Sequence, residues 1–355
     1  MTVEDWLIAA CPSPSAEHRA LAEQRQAQLT KPAGSLGRLE QLAIELAALQ
    51  GTERPRAEKA PIIIFAADHG VTAQGISPFP SEVTVQMLAN FAGGGAAISV
   101  LARALGQTLT VIDVGTLAET TLPGVIVDKP RRGSRDFSQE PALTPAELAH
   151  ALASGRRAVA RAAEEAPDLL VFGEMGIGNT TSAAAIVCAL TGRAPSDVAG
   201  AGAGLDEQGR RHKANVIAGA LERHELLGGS VSPESVLCAV GGLEIAALTG
   251  ALIAAAQARI PVVVDGFIVS AAALAAVRLN PSCRPWMIFA HRSAERGYTL
   301  TTEALDARPL LDLEMRLGEA SGAATALPII RLACALHNGM ATFEEAAVSQ
   351  RNAPC

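Results

Sequence analysis

Short runs of β-branched and other apolar residues recur along the chain, and each run ends in Gly, Asp or His. Ala-rich segments with helical character lie between these runs. Fully apolar strands that alternate with helices are typical of a parallel sheet covered by helices on both faces. The pattern therefore predicts an α/β fold with a doubly wound, mostly parallel, Rossmann-like sheet. The predicted strands are residues 61–67, 109–114, 168–172, 236–240, 260–264 and 286–290.

Both ends of the chain have an apolar spacing that favours helices. The expected helices are residues 17–28 and 36–49 before the first strand, and residues 320–335 and 343–349 after the last one. We expect these terminal helices to pack together as a small helical domain beside the sheet. The predicted division is an N-terminal helical segment at 1–60, a large α/β domain at 61–319 and C-terminal helices at 320–355.

The composition excludes several classes of protein. Of the 355 residues, 49% are hydrophobic and 18% are charged, which is incompatible with a disordered chain. The net charge of −7 and the 3% of aromatic residues argue against a nucleic-acid partner. The six cysteines form no CxxC pair, and the acidic N-terminus does not resemble a secretory signal. From these two features we expect a reduced, cytoplasmic protein. We also expect no membrane span, because apolar runs such as 243–263 contain charged residues.

A glycine-rich segment follows the predicted strand 168–172 and precedes a helix of small residues. In this segment, GEMGIGNTT at 173–181, glycines expose backbone N–H groups at the positive end of a helix dipole. The spacing resembles the P-loop pattern, but Asn179 stands where a lysine would reach a β- or γ-phosphate. The segment therefore favours a monophosphate ligand, and a plain tight turn between strand and helix is the alternative. The chain has no G-x-G-x-x-G dinucleotide fingerprint.

A second glycine-rich turn, GAGAGLD at 200–206, precedes another predicted helix. Lys213 lies two turns into that helix, where its ammonium group could reach a bound anion. The alternative for a single helical lysine is a solvated surface charge.

Polar residues at other places carry candidate chemistry. Glu319 lies at the start of a strongly apolar helix, where it could be a general base in a desolvated pocket or a carboxylate favoured by the helix dipole. Asp68 and His69 follow the first predicted strand, but a catalytic metal usually has three or more protein ligands. We therefore predict no metal and no cofactor. Asp265 and Glu244 are compatible with plain turns.

These segments together resemble the family of nicotinate-nucleotide–dimethylbenzimidazole phosphoribosyltransferases, which make the lower-ligand nucleotide of cobalamin. The resemblance extends from residue 31 to residue 346, and the order and distance of GEMGIGNTT, HRSAE and LGE make it specific. The matching segments are 31–40, 67–71, 80–86, 173–185, 202–206, 241–248, 265–267, 291–295, 317–324 and 341–346.

The resemblance implies a homodimer that transfers phosphoribose from nicotinate mononucleotide to 5,6-dimethylbenzimidazole. The expected products are α-ribazole 5′-phosphate and nicotinate, formed by direct displacement with inversion at the anomeric carbon. By this match Glu319 is the general base. The nucleotide would be held by Glu174, Gly176, Ile177, Gly178, Asn179, Thr180, Gly202 and Lys213. The base pocket would be lined by either Ser77 or Ser81, together with Gln86, Ser293, Leu317 and Gly318.

The sequence departs from the family pattern at a few positions. Residues 296–298 read Arg-Gly-Tyr instead of Pro-Gly-His, and Ala203, Leu143 and Ala320 replace Thr, Met and Gly. The first change borders the presumed base pocket and concerns base specificity, whereas the phosphate loop and Glu319 are intact. Two other functions stay open at this point: a phosphosugar hydrolase that uses the same anion loop, and a nucleotide sensor without catalytic activity.

Overall fold

A single sheet of six parallel strands forms the centre of the computed structural model, which describes residues 5–119, 121–228 and 231–349. The strands are β1 (Ile62–Ala67), β2 (Leu109–Gly115), β3 (Val125–Val127), β4 (Leu170–Met175), β5 (Val262–Val264) and β6 (Met287–Phe289). Their order in the sheet is β3-β2-β1-β4-β5-β6. The order reverses between β1 and β4, and ligands of open α/β sheets bind beyond the carboxyl ends of the strands near such a reversal.

Helices cover both faces of this sheet. They are α1 (Asp5–Ile8), α2 (Ala16–Gln28), α3 (Arg38–Gln50), α4 (Glu82–Gly93), α5 (Ala97–Leu105), α6 (Pro145–Ala163), α7 (Asn179–Thr191), α8 (Pro195–Val198), α9 (Glu207–Arg223), α10 (Pro233–Val240), α11 (Leu243–Gln257), α12 (Phe267–Leu279), α13 (Tyr298–Ala304) and α14 (Ser321–Gly339). Along β1, Ile63 and Phe65 pack in one core with α6, α7, α11 and α12. Ile62 and Ile64 pack in a second core with α3, α4, α5 and α14. The predicted doubly wound α/β fold is confirmed.

The predicted strand at residues 236–240 is wrong, because these residues form the end of helix α10. Ser232 caps this helix by accepting a hydrogen bond from the Ser235 amide (3.1 Å), and Pro233 occupies its first turn. Both are strong helix-start signals. A run of five apolar residues fits a buried helix as well as a buried strand, since periodicity does not separate the two at this length.

Three other element predictions differ from the structure. Strand β3 has only three residues and was not predicted. Strand β4 continues beyond Phe172 to Met175, so that Glu174 belongs to the strand. Residues 343–349 form turns and irregular backbone instead of the predicted helix, and the Phe343 amide donates to the Gln28 carbonyl (2.9 Å).

The N- and C-terminal helices contact each other. Arg25 of α2 donates from Nε to the carbonyl of His337 in α14 (2.7 Å), and Gln26 Nε2 lies 2.8 Å from His337 Nδ1. Leu42 and Leu46 of α3 also belong to the core that includes Ile62, so these helices form part of the layer over the sheet. The division of the chain at residues 60 and 319 stays a prediction.

One stretch within the described residues, Glu82–Leu105, is long and apolar enough by composition to cross a membrane, with a mean hydropathy of 1.4. It consists of two separate helices, α4 with 12 residues and α5 with 9, which meet at the left-handed Gly94. A membrane-spanning helix needs about 20 residues. Neither helix reaches that length.

The five cysteines in the described part of the chain, Cys11, Cys188, Cys238, Cys283 and Cys334, are buried and form no disulfide there. Cys355 lies outside the described residues.

Candidate active site

A cavity of about 560 Å³ opens at the carboxyl ends of β4, β5 and β6. Its walls include the turn before α7, the glycine-rich turn before α9 and the turn before α14. Its volume lies within the range of small-molecule sites. Most of the predicted site residues line it: Ser77, Glu174, Gly176, Ile177, Gly178, Asn179, Thr180, Gly202, Ser293, Leu317, Gly318 and Glu319.

Three predicted site residues lie outside the lining. Lys213 is completely buried beneath the cavity. The hydroxyl of Ser81 lies 3.1 Å from that of Thr72, so Ser77 is the serine of this loop that faces the cavity. Gln86 is exposed on α4.

Sequence reasoning missed several residues that line the cavity. The apolar ones on and near α4 include Phe79, Val83 and Met87, and the last two lie four residues apart on one face of the helix. Asp265 and His291, each at the end of a strand, also line it. Their position after predicted strands was the available signal, because the carboxyl ends of parallel strands meet at one edge of the sheet.

The turn before α7 presents backbone N–H groups to the cavity. Gly178 adopts a left-handed φ of 93°, and a Cβ at this position would lie 2.8 Å from Thr72 Cγ2. The amides of Asn179 and Thr181 bond to carbonyls within the turn, at 3.1 and 2.9 Å. Among the residues that the structure describes, no hydrogen bond is found for the two remaining first-turn amides, those of Gly178 and Thr180. A helix N-terminus of this form is suited to an anion.

Lys213 places a positive charge behind this turn. Its Nζ donates to Thr180 Oγ1 (2.7 Å) and lies 3.3 Å from the position of a Cβ built at Gly202. Gly202 has a left-handed φ of 54°, so a side chain here would meet both a steric and a conformational obstacle. Burial lowers the pKa of Lys213 to about 8, against the opposing attraction of Glu295.

Several carboxyl groups line the same cavity. Burial, followed by the negative charge of Asp265, raises the pKa of Glu319 to about 7. Burial and the charge of Glu244 raise the pKa of Glu174 well above its usual value. Glu174 accepts a hydrogen bond from the Asn179 side-chain amide and packs against Gly318, where a Cβ would lie only 2.5 Å from Glu174 Oε1. A carboxylate with a pKa near neutrality is suited to general acid–base work.

Asp68 and His69 lie below the turn before α7 and not in the cavity. His69 Nδ1 is 3.0 Å from Ser182 Oγ, and its Nε2 is 2.7 Å from Glu244 Oε1. A Cβ at Gly176 would lie 3.3 Å from the His69 ring, so this ring packs directly against the turn. Within the described ranges, no three His, Cys, Asp or Glu side chains are arranged to hold a metal ion.

The fold and the cavity define a Rossmann-like α/β protein whose site lies beyond the carboxyl ends of its strands. A family model described as Phosphoribosyltransferase matches residues 11–348. The nicotinate-nucleotide–dimethylbenzimidazole phosphoribosyltransferase of Bradyrhizobium sp. (strain ORS 278) is 66% identical over 349 residues, covering 98% of this chain and 99% of the relative. The enzyme of the same name from Xanthomonas axonopodis pv. citri (strain 306) is 55% identical over 346 residues, covering 97% and 99%.

A solved structure agrees with these sequence relatives. The crystal structure of the enzyme of the same name from Thermus thermophilus has a TM-score of 0.89 and 44% sequence identity, and it covers 95% of this chain and 100% of that one. The chain belongs to the nicotinate-nucleotide–dimethylbenzimidazole phosphoribosyltransferase family, and it is a phosphoribosyltransferase.

Proposed function

We propose that the protein transfers the phosphoribosyl group of nicotinate mononucleotide to 5,6-dimethylbenzimidazole, with inversion at the anomeric carbon. The products are α-ribazole 5′-phosphate and nicotinate. One observation carries the proposal: the same cavity is lined by a helix N-terminus backed by a buried lysine and by the buried carboxyl group of Glu319. The first suits a phosphate and the second suits the removal of a proton.

The phosphate of nicotinate mononucleotide would bind at the N-terminus of α7. The amides of Gly178 and Thr180 would donate to its oxygens, and the Lys213 ammonium would offset its charge from below. Fixing the phosphate holds the ribose so that its anomeric carbon faces the incoming base. Such positioning supplies a large part of the acceleration in a reaction between two bound substrates.

Glu319 would act on the acceptor. As one ring nitrogen of dimethylbenzimidazole attacks the anomeric carbon, the carboxylate takes the proton from the other ring nitrogen. The bond from the anomeric carbon to the pyridinium nitrogen breaks, and its electron pair stays on that nitrogen. Nicotinate leaves with a neutral ring, and attack from the opposite face converts the β-nucleotide into the α-riboside. The proton then passes from Glu319 to solvent.

The charges around the cavity agree with this reaction. The substrate carries a positive pyridinium, and positive charge develops on the ribose as the bond breaks. Carboxyl groups line the cavity at Glu174, Asp265, Glu295 and Glu319, and an ionised one near the ribose would stabilise this charge. Because the leaving group loses charge, the reaction needs no added cation at that position. We expect full activity after treatment with EDTA and dialysis.

The test is to incubate the protein with nicotinate mononucleotide and dimethylbenzimidazole and to identify the products by mass spectrometry and NMR. α-Ribazole 5′-phosphate with the α configuration supports the proposal. Release of inorganic phosphate would instead indicate a phosphosugar hydrolase, and binding of the nucleotide without any product would indicate a sensor.

We also propose that the protein is a cytoplasmic homodimer, as its family resemblance implies. Analytical ultracentrifugation of the purified protein tests the oligomeric state, and a monomer at micromolar concentration would contradict it.

A further inference from the structure

Helix α14 begins with a strained turn that its own residues do not explain. Gly318, Glu319 and Ala320 have consecutive left-handed φ angles of 86°, 60° and 61°. A left-handed conformation costs roughly 1–2 kcal/mol for a residue with a side chain. Ala320, at the N-cap position, has no side-chain acceptor for the first amides of the helix. Strained backbone of this kind persists only where the surroundings hold it.

Asp265 provides a hydrogen-bond acceptor for the first turn of α14. This residue follows β5 and is 58 positions away from Ala323, yet its Oδ1 accepts a hydrogen bond from the Ala323 amide (2.8 Å). The side chain is 1% exposed, so this bond is shielded from water. Asp265 therefore caps α14 from another part of the chain. The bond fixes the first turn of the helix through an amide four residues after Glu319.

The same carboxylate is an electrostatic neighbour of Glu319. The titratable and charged groups that line the cavity together with Glu319 are Glu174 in β4, Asp265 after β5, His291 and Glu295 after β6, and Arg316 in the turn before α14. His291 Nε2 lies 3.7 Å from Asp265 Oδ1. Burial is the main cause of the raised pKa of Glu319, and the charge of Asp265 adds to it. Burial also raises the pKa of Asp265, against the opposing effect of His291.

We propose that Asp265 is a positioning residue for Glu319: its hydrogen bond to the Ala323 amide holds the turn before α14, and its carboxylate charge acts on Glu319 in addition to burial. The inference rests on the proposed role of Glu319 as the base. The two actions are separable by substitution. Asp265→Asn keeps an acceptor oxygen for the Ala323 amide and removes the charge, whereas Asp265→Ala removes both.

The chain offers a matched control in Asp113. This aspartate is in β2, is 2% exposed, and accepts from the backbone amides of Gly115 (3.0 Å) and Thr116 (2.7 Å). It also pairs with Lys129 (2.7 Å) and does not line the cavity. Asp113→Asn therefore removes a comparable buried charge without affecting Glu319.

The experiment measures kcat/KM against pH for the wild type and the three variants. For Asp265→Asn we expect the acid limb to move to lower pH, because the neighbouring negative charge is removed. For Asp265→Ala we expect kcat to fall by roughly 10–100-fold, because misplacement of a reacting group by about 1 Å has this scale of effect. The KM for nicotinate mononucleotide should stay constant, and Asp113→Asn should leave the acid limb in place. An unmoved limb in Asp265→Asn, or wild-type kcat in Asp265→Ala, overturns the proposal.

A second measurement does not depend on activity. In ligand-free protein with ¹³C-labelled glutamate, the Glu319 carboxyl signal, assigned by its loss in Glu319→Gln, should titrate at lower pH in Asp265→Asn than in the wild type. An unchanged titration overturns the inference even if Asp265→Ala does not fold. Absence of product from the wild-type protein would instead count against the proposed function, so the two failures are distinguishable.

Discussion

Helices α7 and α14 begin at the same cavity, but they prepare it for opposite charges. Helix α7 begins after Gly178, which has no side chain. Gly178 and Thr180 line the cavity, their amides have no hydrogen-bond partner among the described residues, and the buried Lys213 bonds to Thr180. At α14 the Ala323 amide is already bound to Asp265, and Glu319 precedes the helix. The start of α7 has a buried lysine behind it, and the start of α14 directly follows the carboxyl group of Glu319.

The difference shows that a helix N-terminus does not by itself determine the ligand. Both helices carry a partial positive charge at this end. At α7 the surroundings add a lysine and leave amides available, whereas at α14 the aspartate that follows β5 accepts a hydrogen bond from the Ala323 amide near Glu319, the proposed base. The side chains brought from distant parts of the chain decide which chemistry each terminus can support.

The largest expected effect concerns Glu319, the proposed base before helix α14. Glu319→Gln should lower kcat by about 10²–10⁴-fold, as is typical for loss of a general base. Because the phosphate would bind at the other helix, the Kd for nicotinate mononucleotide should not change. Isothermal titration calorimetry and product assays measure the two quantities. Turnover close to that of the wild type would remove Glu319 from the proposed mechanism.

The same variant should also change stability in a pH-dependent way. The pKa of Glu319 is raised from 4.5 to about 7 on folding, so the unfolded state ionises at lower pH than the folded state. Stability of the wild type therefore falls as the pH rises from 4.5 to 7, by up to about 3 kcal/mol. Glu319→Gln does not lose stability in this way. Its free energy of unfolding in urea should exceed that of the wild type most at pH 8, and the difference should vanish near pH 4.5. A difference that is the same at both pH values would contradict the buried position of this carboxylate.

The sequence predicted one of the two helix termini better than the other. At α7 the strand, the glycine turn and the helix are contiguous, so the motif itself indicates the geometry. At α14 the motif indicated Glu319, but the capping residue Asp265 is 58 positions away from the amide that it binds. The support of α7 by His69 was equally inaccessible, since Ser182 is 113 positions and Glu244 175 positions away from it. Pairing over such distances depends on the order of strands in the sheet, which periodicity does not give.

Substitution of Lys213, which lies behind the start of α7, should instead weaken the binding of nicotinate mononucleotide. Lys213→Met keeps much of the length of the side chain and removes the charge, so the Kd for nicotinate mononucleotide should rise by roughly 10–100-fold, the range of a charge-assisted hydrogen bond. The KM for dimethylbenzimidazole should change little. Circular dichroism and the urea midpoint serve as controls for folding. Equal losses for both substrates would show that the two ends are not separate.

The last prediction concerns the pH dependence of kcat/KM, which should reflect both Glu319 and Lys213. A plot of kcat/KM against pH reports groups of the free enzyme. Glu319 must be ionised to take a proton, so the rate should rise tenfold per unit up to a pH of about 7. Lys213 must be protonated to attract the phosphate, so the rate should fall again above a pH of about 8. The wild type should therefore have a narrow optimum between these values. Lys213→Arg should extend the alkaline side, because a guanidinium stays charged, while the acid limb stays in place. An alkaline limb that persists in Lys213→Arg would assign it to another group and break the contrast between the two helix termini.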